Sequence, residues 1–349
     1  MDGAHRVRKL VSLHPIKLSL VAIGGGNGTG RVLLAARPFF ASLAAVVAVT
    51  DTGRSTGVAR ALVDMPAPGD VRSTLAAMAY EPDALIARLL QYRFHSPNVP
   101  LLDGMAFGNL LLAALTQMTG DFAQAVRMAG EMVNTMAQVF PVSAANTQLC
   151  AELVDGSLVE GELAVRGLNK PPIARLFLSD PTAHAYAPAL DAIRQADMVV
   201  LGPGSFFTSV LATLVFDGMR EALRETTGTV LFVCNTTTQP GQTDGYTAFD
   251  HVQRLVQMLG PGVLDAALIN RSEGLDATLL SQYASEGLHL LHPDDDELHR
   301  IVALGVEPLA RDYVEITEAR RQIWNKQDTL RHDLEMLGMA LWKLVLDRA

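Results

Sequence analysis

The chain of 349 residues is 49% hydrophobic and 19% charged, the balance of a globular protein with a substantial core, which excludes an intrinsically disordered one. With 28 basic against 37 acidic side chains its formal net charge is -9, so there is no electrostatic case for nucleic acid or an anionic membrane as partner. Cys150 and Cys234 belong to no Cys-x-x-Cys pair, which argues against a zinc site or a disulfide framework and for a reducing cytoplasm.

Residues 1–16 form a lead in which His5, Arg6, Arg8 and Lys9 are not followed by the long apolar run of a secretory signal. No stretch reaches the roughly eighteen uninterrupted apolar residues of a membrane span. From Lys17 an apolar, β-rich run breaks into Gly24-Gly25-Gly26-Asn27-Gly28-Thr29-Gly30 and resumes with helical spacing, which places the first helix near Arg31 to Phe40. Strand, glycine loop and helix together suit a phosphate. Glycine lets backbone N–H groups approach an anion closely, and the helix start adds free N–H groups and a positive dipole end. Gly25, Gly26, Asn27, Gly28 and Thr29 are therefore candidate ligand contacts. The alternating glycines fit neither G-x-G-x-x-G nor the P-loop, and a tight turn without a ligand stays open as the alternative.

Leu43 to Thr50 reads as a continuous apolar strand of a parallel sheet, with Asp51 at its tip. A dinucleotide-binding fold places a ribose-gripping carboxylate there, which keeps an NAD-type oxidoreductase in view. Thr52 to Gly57 instead makes a second polar, flexible loop, and Pro68 to Ser73 a third before the helical run Leu75 to Tyr80. Three such loops point to one anionic ligand held from several sides, with Asp51, Arg54, Ser55, Asp70 and Arg72 as contacts. Glu81 to Phe94 reads as a helix whose Tyr92 and Phe94 anchor the core. Phe107-Gly108-Asn109 opens the helix Leu110 to Met118, with Asn109 either capping it or aimed at a ligand. Asp121 to Met136 is a further helix, and Leu153 to Leu163 reads as two short antiparallel strands about Asp155-Gly156.

After a helix from Ala187 to Gln195, the run Asp197 to Leu201 repeats the opening design, a buried strand entering Gly202-Pro203-Gly204-Ser205. Gly202, Gly204, Ser205 and Thr208 form a second candidate cradle, and because ligands of open parallel sheets lie at the carboxyl ends of the strands, both loops face one crevice. Thr229 to Asn235 is the next strand, and Asn235 and Gln239, in the polar loop before the helix Thr247 to Leu259, are further candidate ligand contacts. Asp250 and His251 share no helix face, so His251 reads as a capping or packed residue. Leu264 to Asn270 is a final strand, and Asp294 to Glu297 reads as a helix start rather than a metal cluster. Asp312 to Asp328, with Arg320, Arg321 and Trp324, reads as a surface excursion before a C-terminal helix from Arg331 to Leu346.

Gly24 to Gly30, Asp51 to Gly57, Pro68 to Arg72, Gln91 to Phe94, Gly108-Asn109, Gly202 to Ser209 and Thr238 to Val252 together resemble the gluconeogenesis factor family (UPF0052-type), a relative of the 2-phospho-L-lactate transferases. The resemblance implies an α/β fold with a Rossmann-like, mostly parallel sheet, helices on both faces and a small β-hairpin insertion. It spans 17–340 as one domain, with the insertion near 150–170, the lead 1–16 before it and a C-terminal helix over 330–349. It further implies a cytoplasmic regulator of cell shape and gluconeogenic growth that binds a UDP-sugar such as UDP-N-acetylglucosamine, with Tyr283 and Arg331 as late nucleotide-sugar contacts. A divalent cation accompanying the diphosphate and a homo-oligomer are left open.

Two departures stand out. Where the family reads Asp-Asp-Gly-Gly-Ser-Ser-Gly, this chain has Asp51-Thr52-Gly53-Arg54-Ser55-Thr56-Gly57, losing a carboxylate and gaining a guanidinium suited to phosphate. Where it reads Gly-His-Asn-Leu-Gly-Asn, this chain has Gly104-Met105-Ala106-Phe107-Gly108-Asn109. The alternative function is a transferase of the 2-phospho-L-lactate type, with Asp51 as candidate base or metal ligand, but the sequence places no second carboxylate beside it. Whether the chain is an enzyme stays open.

Overall fold

The computed structural model describes residues 17–273, 277–315 and 330–348, without the side chains of Arg54 and Leu279. Among them the strands are β1 (Ser19–Gly24), β2 (Ser42–Val47), β3 (Gln138–Pro141), β4 (Leu149–Leu153), β5 (Leu158–Glu160), β6 (Ile173–Leu178), β7 (Met198–Leu201), β8 (Thr229–Val233), β9 (Ala266–Asn270) and β10 (Glu307–Arg311). Seven of these form one sheet in the order β10-β9-β8-β7-β1-β2-β3, with every pairing parallel. Strands β7, β8 and β9 are buried along their whole length, as continuous Val, Leu, Ile and Ala runs require when both faces are covered. The chain leaves β1 toward β2 and β3, then returns to the other side of β1 with β7 and continues outward to β10. The order therefore reverses between β1 and β7.

The helices that carry the argument are α1 (Gly26–Ala36), α2 (Arg54–Leu62), α3 (Gly69–Ala77), α4 (Leu85–Gln91), α5 (Phe107–Thr119), α6 (Phe122–Met132), α7 (Glu162–Val165), α8 (Ala187–Gln195), α9 (Met219–Glu225), α10 (Ala248–Leu259), α11 (Ala277–Ser285), α12 (Asp295–Ala303) and α13 (Leu334–Arg348). α1 packs on β1, β2, α3 and α13, while α8 packs on β1, β3 and α9. At the crossing of α13 over α1, a Cβ at Gly338 would stand 2.4 Å from the Ala35 carbonyl oxygen, so the missing side chain sets how closely the two helices approach. Trp342 then stacks on Phe39 with ring centroids 5.8 Å apart.

The small antiparallel sheet has three strands, β5-β4-β6, rather than a lone hairpin. Its first strand ends at Leu153, where the sequence reading begins it. Strands β3, β6 and β10 and helix α11 have no counterpart in the sequence reading. Other boundaries move for local reasons. The glycine loop is itself the first turn of α1, and the supposed flexible loops Thr52 to Gly57 and Pro68 to Ser73 are largely the first turns of α2 and α3. α4 starts only at Leu85 and α6 stops at Met132. Tyr92 is 52% exposed and meets Phe94 edge-on at 5.5 Å, so it does not anchor the core. His251 is buried, and Asp294 accepts from the Glu297 amide as a helix cap, both as expected. Residues 1–16, and the part of the Asp312 to Asp328 excursion that holds Arg320, Arg321 and Trp324, lie outside the described residues.

Candidate functional site

The two glycine loops leave adjacent strands, β1 and β7, on either side of the point where strand order reverses, which is where open parallel sheets take their ligands. They are packed backbone to backbone. The Gly202 amide donates to the Ile23 carbonyl at 2.9 Å, and a Cβ at Gly28 would lie 1.6 Å from the Pro203 carbonyl oxygen. Gly26, at φ +39°, turns the chain into α1 in a conformation that other residues rarely adopt.

The helices that begin here share one property. α1, α2, α3 and the π-helical turn Phe206–Leu211 after the second loop have no side-chain cap hydrogen bond. Asp121 caps α6, Thr247 and Asp250 form a capping box on α10 and Asp294 caps α12, while α4, α5, α7, α8 and α9 are uncapped like the helices here, so the missing caps alone do not mark the site. Asn27 is exposed at the start of α1, Gly28 is half-buried and Thr29 is buried.

The second loop is more committed than its sequence suggests. Gln239 Oε1 accepts from the Phe206 amide at 2.8 Å, and Ser205 Oγ donates to Gln242 Oε1 at 2.9 Å. Thr208 Oγ1 donates to Ser205 Oγ at 2.7 Å, and Asn235 Nδ2 donates to the Gly204 carbonyl at 2.7 Å. Asn235, Gln239 and Gln242 thus hold Gly204 and Ser205 in place, and the Asn235 Oδ1 is left without a partner. Sequence reasoning missed Gln242, and also Ser209, whose Oγ is 2.5 Å from where a Cβ on Gly25 would lie.

Asp51, contrary to the sequence reading, does have carboxylates beside it. Its Oδ1 accepts from the Gly53 amide at 2.7 Å and its Oδ2 from Thr56 Oγ1 at 2.9 Å. Glu162, delivered by α7 from the small sheet, hydrogen-bonds to it. Desolvation, then the hydrogen bond and charge of Asp51, drive the Glu162 carboxyl up, while the hydrogen bonds on Asp51 hold that group down despite its burial. Glu162 Oε2 also accepts from the Thr52 amide at 3.3 Å, and Arg166 bridges Glu162 at 3.3 Å. Asp70 completes the group. Its carboxylate lies against the first loop, 2.3 Å and 2.5 Å from the positions a Cβ would take on Gly25 and Gly26.

Arg72 and Asn109 form the frame behind this group. The Arg72 Nε donates to Asn109 Oδ1 at 3.0 Å, its Nη1 donates to the Leu90 carbonyl at 3.2 Å and to Gln91, and its Nη2 donates to Ser73. Asn109 Nδ2 donates to Ser55 Oγ at 3.0 Å. Asn109 is the third residue of α5, not its cap, since Ala106 holds that place. Desolvation pulls the Arg72 guanidinium down to about 10, the mark of a cation tied into the protein. Arg54 opens α2, but its side chain lies outside the described atoms. Tyr283 is buried on α11, next to the turn whose Gly287 packs on Pro240, and Arg331 is exposed.

Among the described residues no three His, Cys, Asp or Glu side chains are arranged to hold a metal ion. The Asp51 oxygens accept from the Gly53 amide and Thr56 Oγ1. No helix among the described residues is long and apolar enough to cross a membrane.

These features define an α/β protein of Rossmann-like build whose two glycine loops meet at the β1/β7 switch point. The family model of 2-phospho-L-lactate transferase CofD matches residues 20–314, and the chain belongs to that family. It is 37% identical over 325 residues to a protein named gluconeogenesis factor from Halalkalibacterium halodurans, covering 93% of this chain and 96% of that one. It is 34% identical over 329 residues to the gluconeogenesis factor of Bacillus subtilis, covering 94% and 98%. A crystal structure of a member of the UPF0052 family from Bacillus halodurans superposes with a TM-score of 0.83 at 36% identity, covering 93% of this chain and 98% of that one.

Proposed function

We propose that the chain is a cytoplasmic regulator that binds a nucleotide-sugar of the UDP-N-acetylglucosamine kind, linked to gluconeogenic growth and cell shape. The observation that carries this reading is the pair of glycine loops packed against each other at the switch point, the first of them being the uncapped start of α1. Backbone N–H groups at such a start favour a diphosphate. In this reading Gly25 to Thr29 take the diphosphate and Gly202, Gly204 and Ser205 form the opposite wall. Tyr283 and Arg331 face the remainder of the ligand, and 17–340 works as one domain. The names of the relatives support the metabolic side of the reading. Titration calorimetry with UDP-N-acetylglucosamine tests it. Saturable heat is expected, with thermal stabilisation equivalent to about 2.7 kcal/mol at a hundredfold excess over the dissociation constant. No heat and no stabilisation at millimolar ligand would remove the reading.

A second reading, transfer to or from a phospho-compound of the 2-phospho-L-lactate type, gains from the family match and from Glu162 beside Asp51. Two carboxyls whose proton affinities are driven apart are the usual equipment of acid–base chemistry. Product formation from a nucleotide-activated lactate and a deazaflavin precursor, followed by mass spectrometry, would favour it over the regulator.

A further inference from the structure

Arg60, near the end of α2, is a buried cation held by neutral groups. It is 7% exposed, and its hydrogen bonds among the described residues go to carboxamide and backbone oxygens. Nε and Nη2 donate to Asn146 Oδ1 at 3.1 Å and 2.6 Å, and Nη2 donates also to the Thr147 carbonyl at 3.0 Å. Nη1 makes the longest bonds, 3.3 Å each, to the Asp51 carbonyl and Gln148 Oε1. Desolvation pulls the guanidinium below its ordinary value, and the charges of Asp51 and Asp64 only partly oppose this. A cation so placed gains further from a carboxylate, which its planar fork can meet with two N–H groups at once.

The guanidinium lines a cavity of about 500 Å³ together with Thr52, Asp64, Asn146 and Gln148, a volume within the range of small-molecule sites. A negative charge stands at the same cavity. Asp64, two residues beyond the end of α2, has φ +31°, a left-handed conformation that Asp is among the few residues to tolerate. Asn146 lies between the two charges, its Oδ1 accepting from Arg60 while its Nδ2 donates to Asp64 Oδ1 at 2.6 Å. It is exposed, so its amide can swing out into water. One carboxamide thus answers a cation and an anion with partial charges only. An α-amino acid offers the same oxygen and nitrogen as full charges, separated by one further bond. A simple carboxylate would be repelled by Asp64 and a simple amine by Arg60, so the pair favours a ligand that carries both charges.

We propose that the cavity beside Arg60 is a second binding site, and that its ligand is a free α-amino acid. The ligand carboxylate takes the Arg60 guanidinium, its ammonium takes Asp64, and the Asn146 amide is displaced outward. Its side chain meets Thr52 and Gln148. The site stands apart from the glycine loops and does not depend on what they bind.

The probes are the common L-amino acids, screened in pools and then singly at millimolar concentration by thermal unfolding without nucleotide, with calorimetry on any that stabilise. At least one is expected to raise the unfolding midpoint and give saturable heat, because a ligand of the folded chain alone stabilises it by mass action. Its N-acetyl derivative lacks the ammonium and its methyl ester lacks the carboxylate, and each is expected to bind at least about tenfold more weakly. Asp64→Asn, at an exposed position, should weaken the parent amino acid by about the same factor and leave the N-acetyl derivative unaffected. Asn146→Ala removes the amide that the ligand must displace and should bind the amino acid more tightly. No stabilisation and no heat from any amino acid would overturn the proposal. Equal binding of the blocked derivatives, or unchanged affinity in Asp64→Asn, would overturn it as well. Should Asp64→Asn fail to fold, the blocked derivatives and Asn146→Ala decide.

Discussion

Gly28 and the Pro203 carbonyl oxygen are in direct backbone contact, so close that a methyl group on Gly28 would sit 1.6 Å from that oxygen. This contact joins the loop after β1 to the loop after β7, and it makes a single crevice of two glycine turns that the sequence separates by most of the N-terminal half. Gly28→Ala is expected to force the loops apart, with a loss of stability at the upper end of the roughly 1–3 kcal/mol typical of overpacking. Gly57→Ala is the matched control. Its Cβ would meet the Thr52 carbonyl at an ordinary 3.4 Å within α2, and removing a helical glycine should raise stability by up to about 1 kcal/mol. Denaturant unfolding of both variants checks the pair, and equal effects would mean that the loop contact carries no strain.

The Asp51 and Glu162 pair makes stability depend on pH. The folded-state affinity of Glu162 for its proton is raised above the ordinary 4.5, so the folded chain holds more protons than the unfolded one above that pH. Stability should consequently decline as pH climbs from about 5 through neutrality, and Asp70 adds a decline of the same sign. Glu162→Gln should flatten this slope while keeping the hydrogen bond to Asp51. Thermal unfolding across that window would show parallel curves for the two proteins if the affinity of Glu162 for its proton is ordinary.

Asn109 is buried at 1% exposure and accepts from the buried Arg72 guanidinium. Asn109→Leu is expected to cost about 1–3 kcal/mol of stability, because Arg72 loses an acceptor it cannot replace with water. Arg72→Lys should be similarly damaging, since an ammonium cannot serve several acceptors in one plane. Chemical unfolding alongside ligand titration separates the roles. A residue that contacts only the ligand would lose affinity at unchanged stability.

Much of the crevice was legible in the sequence because it is built from local signals. Runs such as Met198 to Leu201 are apolar enough to mark buried strands, and glycines mark the points where the chain must turn at their carboxyl ends. Strands β3 and β10 were not legible, since edge strands reading Gln-Val-Phe-Pro and Glu-Pro-Leu-Ala-Arg have neither the apolar run nor the alternation that signals a strand. Glu162 was hidden for another reason. It reaches Thr52 across 110 positions from a turn that reads as the end of a hairpin, and only the Arg166 four residues later hints at an organised helix there. The loops before Arg54 and Gly69 were misread as flexible because small polar residues also start uncapped helices, and only tertiary packing distinguishes the two.

Asp51 tests the nucleotide-sugar reading against the dinucleotide one. Its oxygens take the Gly53 amide, Thr56 and Glu162, so it organises the start of α2 and is not held out for a ribose. Asp51→Ala should weaken nucleotide-sugar binding by about 1.5–3 kcal/mol, the range for a hydrogen bond to a charged group. The wild-type chain should show no saturable binding of NAD by calorimetry, and NAD binding abolished by the substitution would reverse the assignment.

The most direct test of the crevice is a crystal structure with UDP-N-acetylglucosamine bound. The account predicts diphosphate density within hydrogen-bonding distance of the backbone amides at Asn27 and Gly28, facing Gly204 across the switch point. Density for the same ligand in the cavity of about 500 Å³ beside Arg60 and Asn146, with the glycine loops empty, would contradict it.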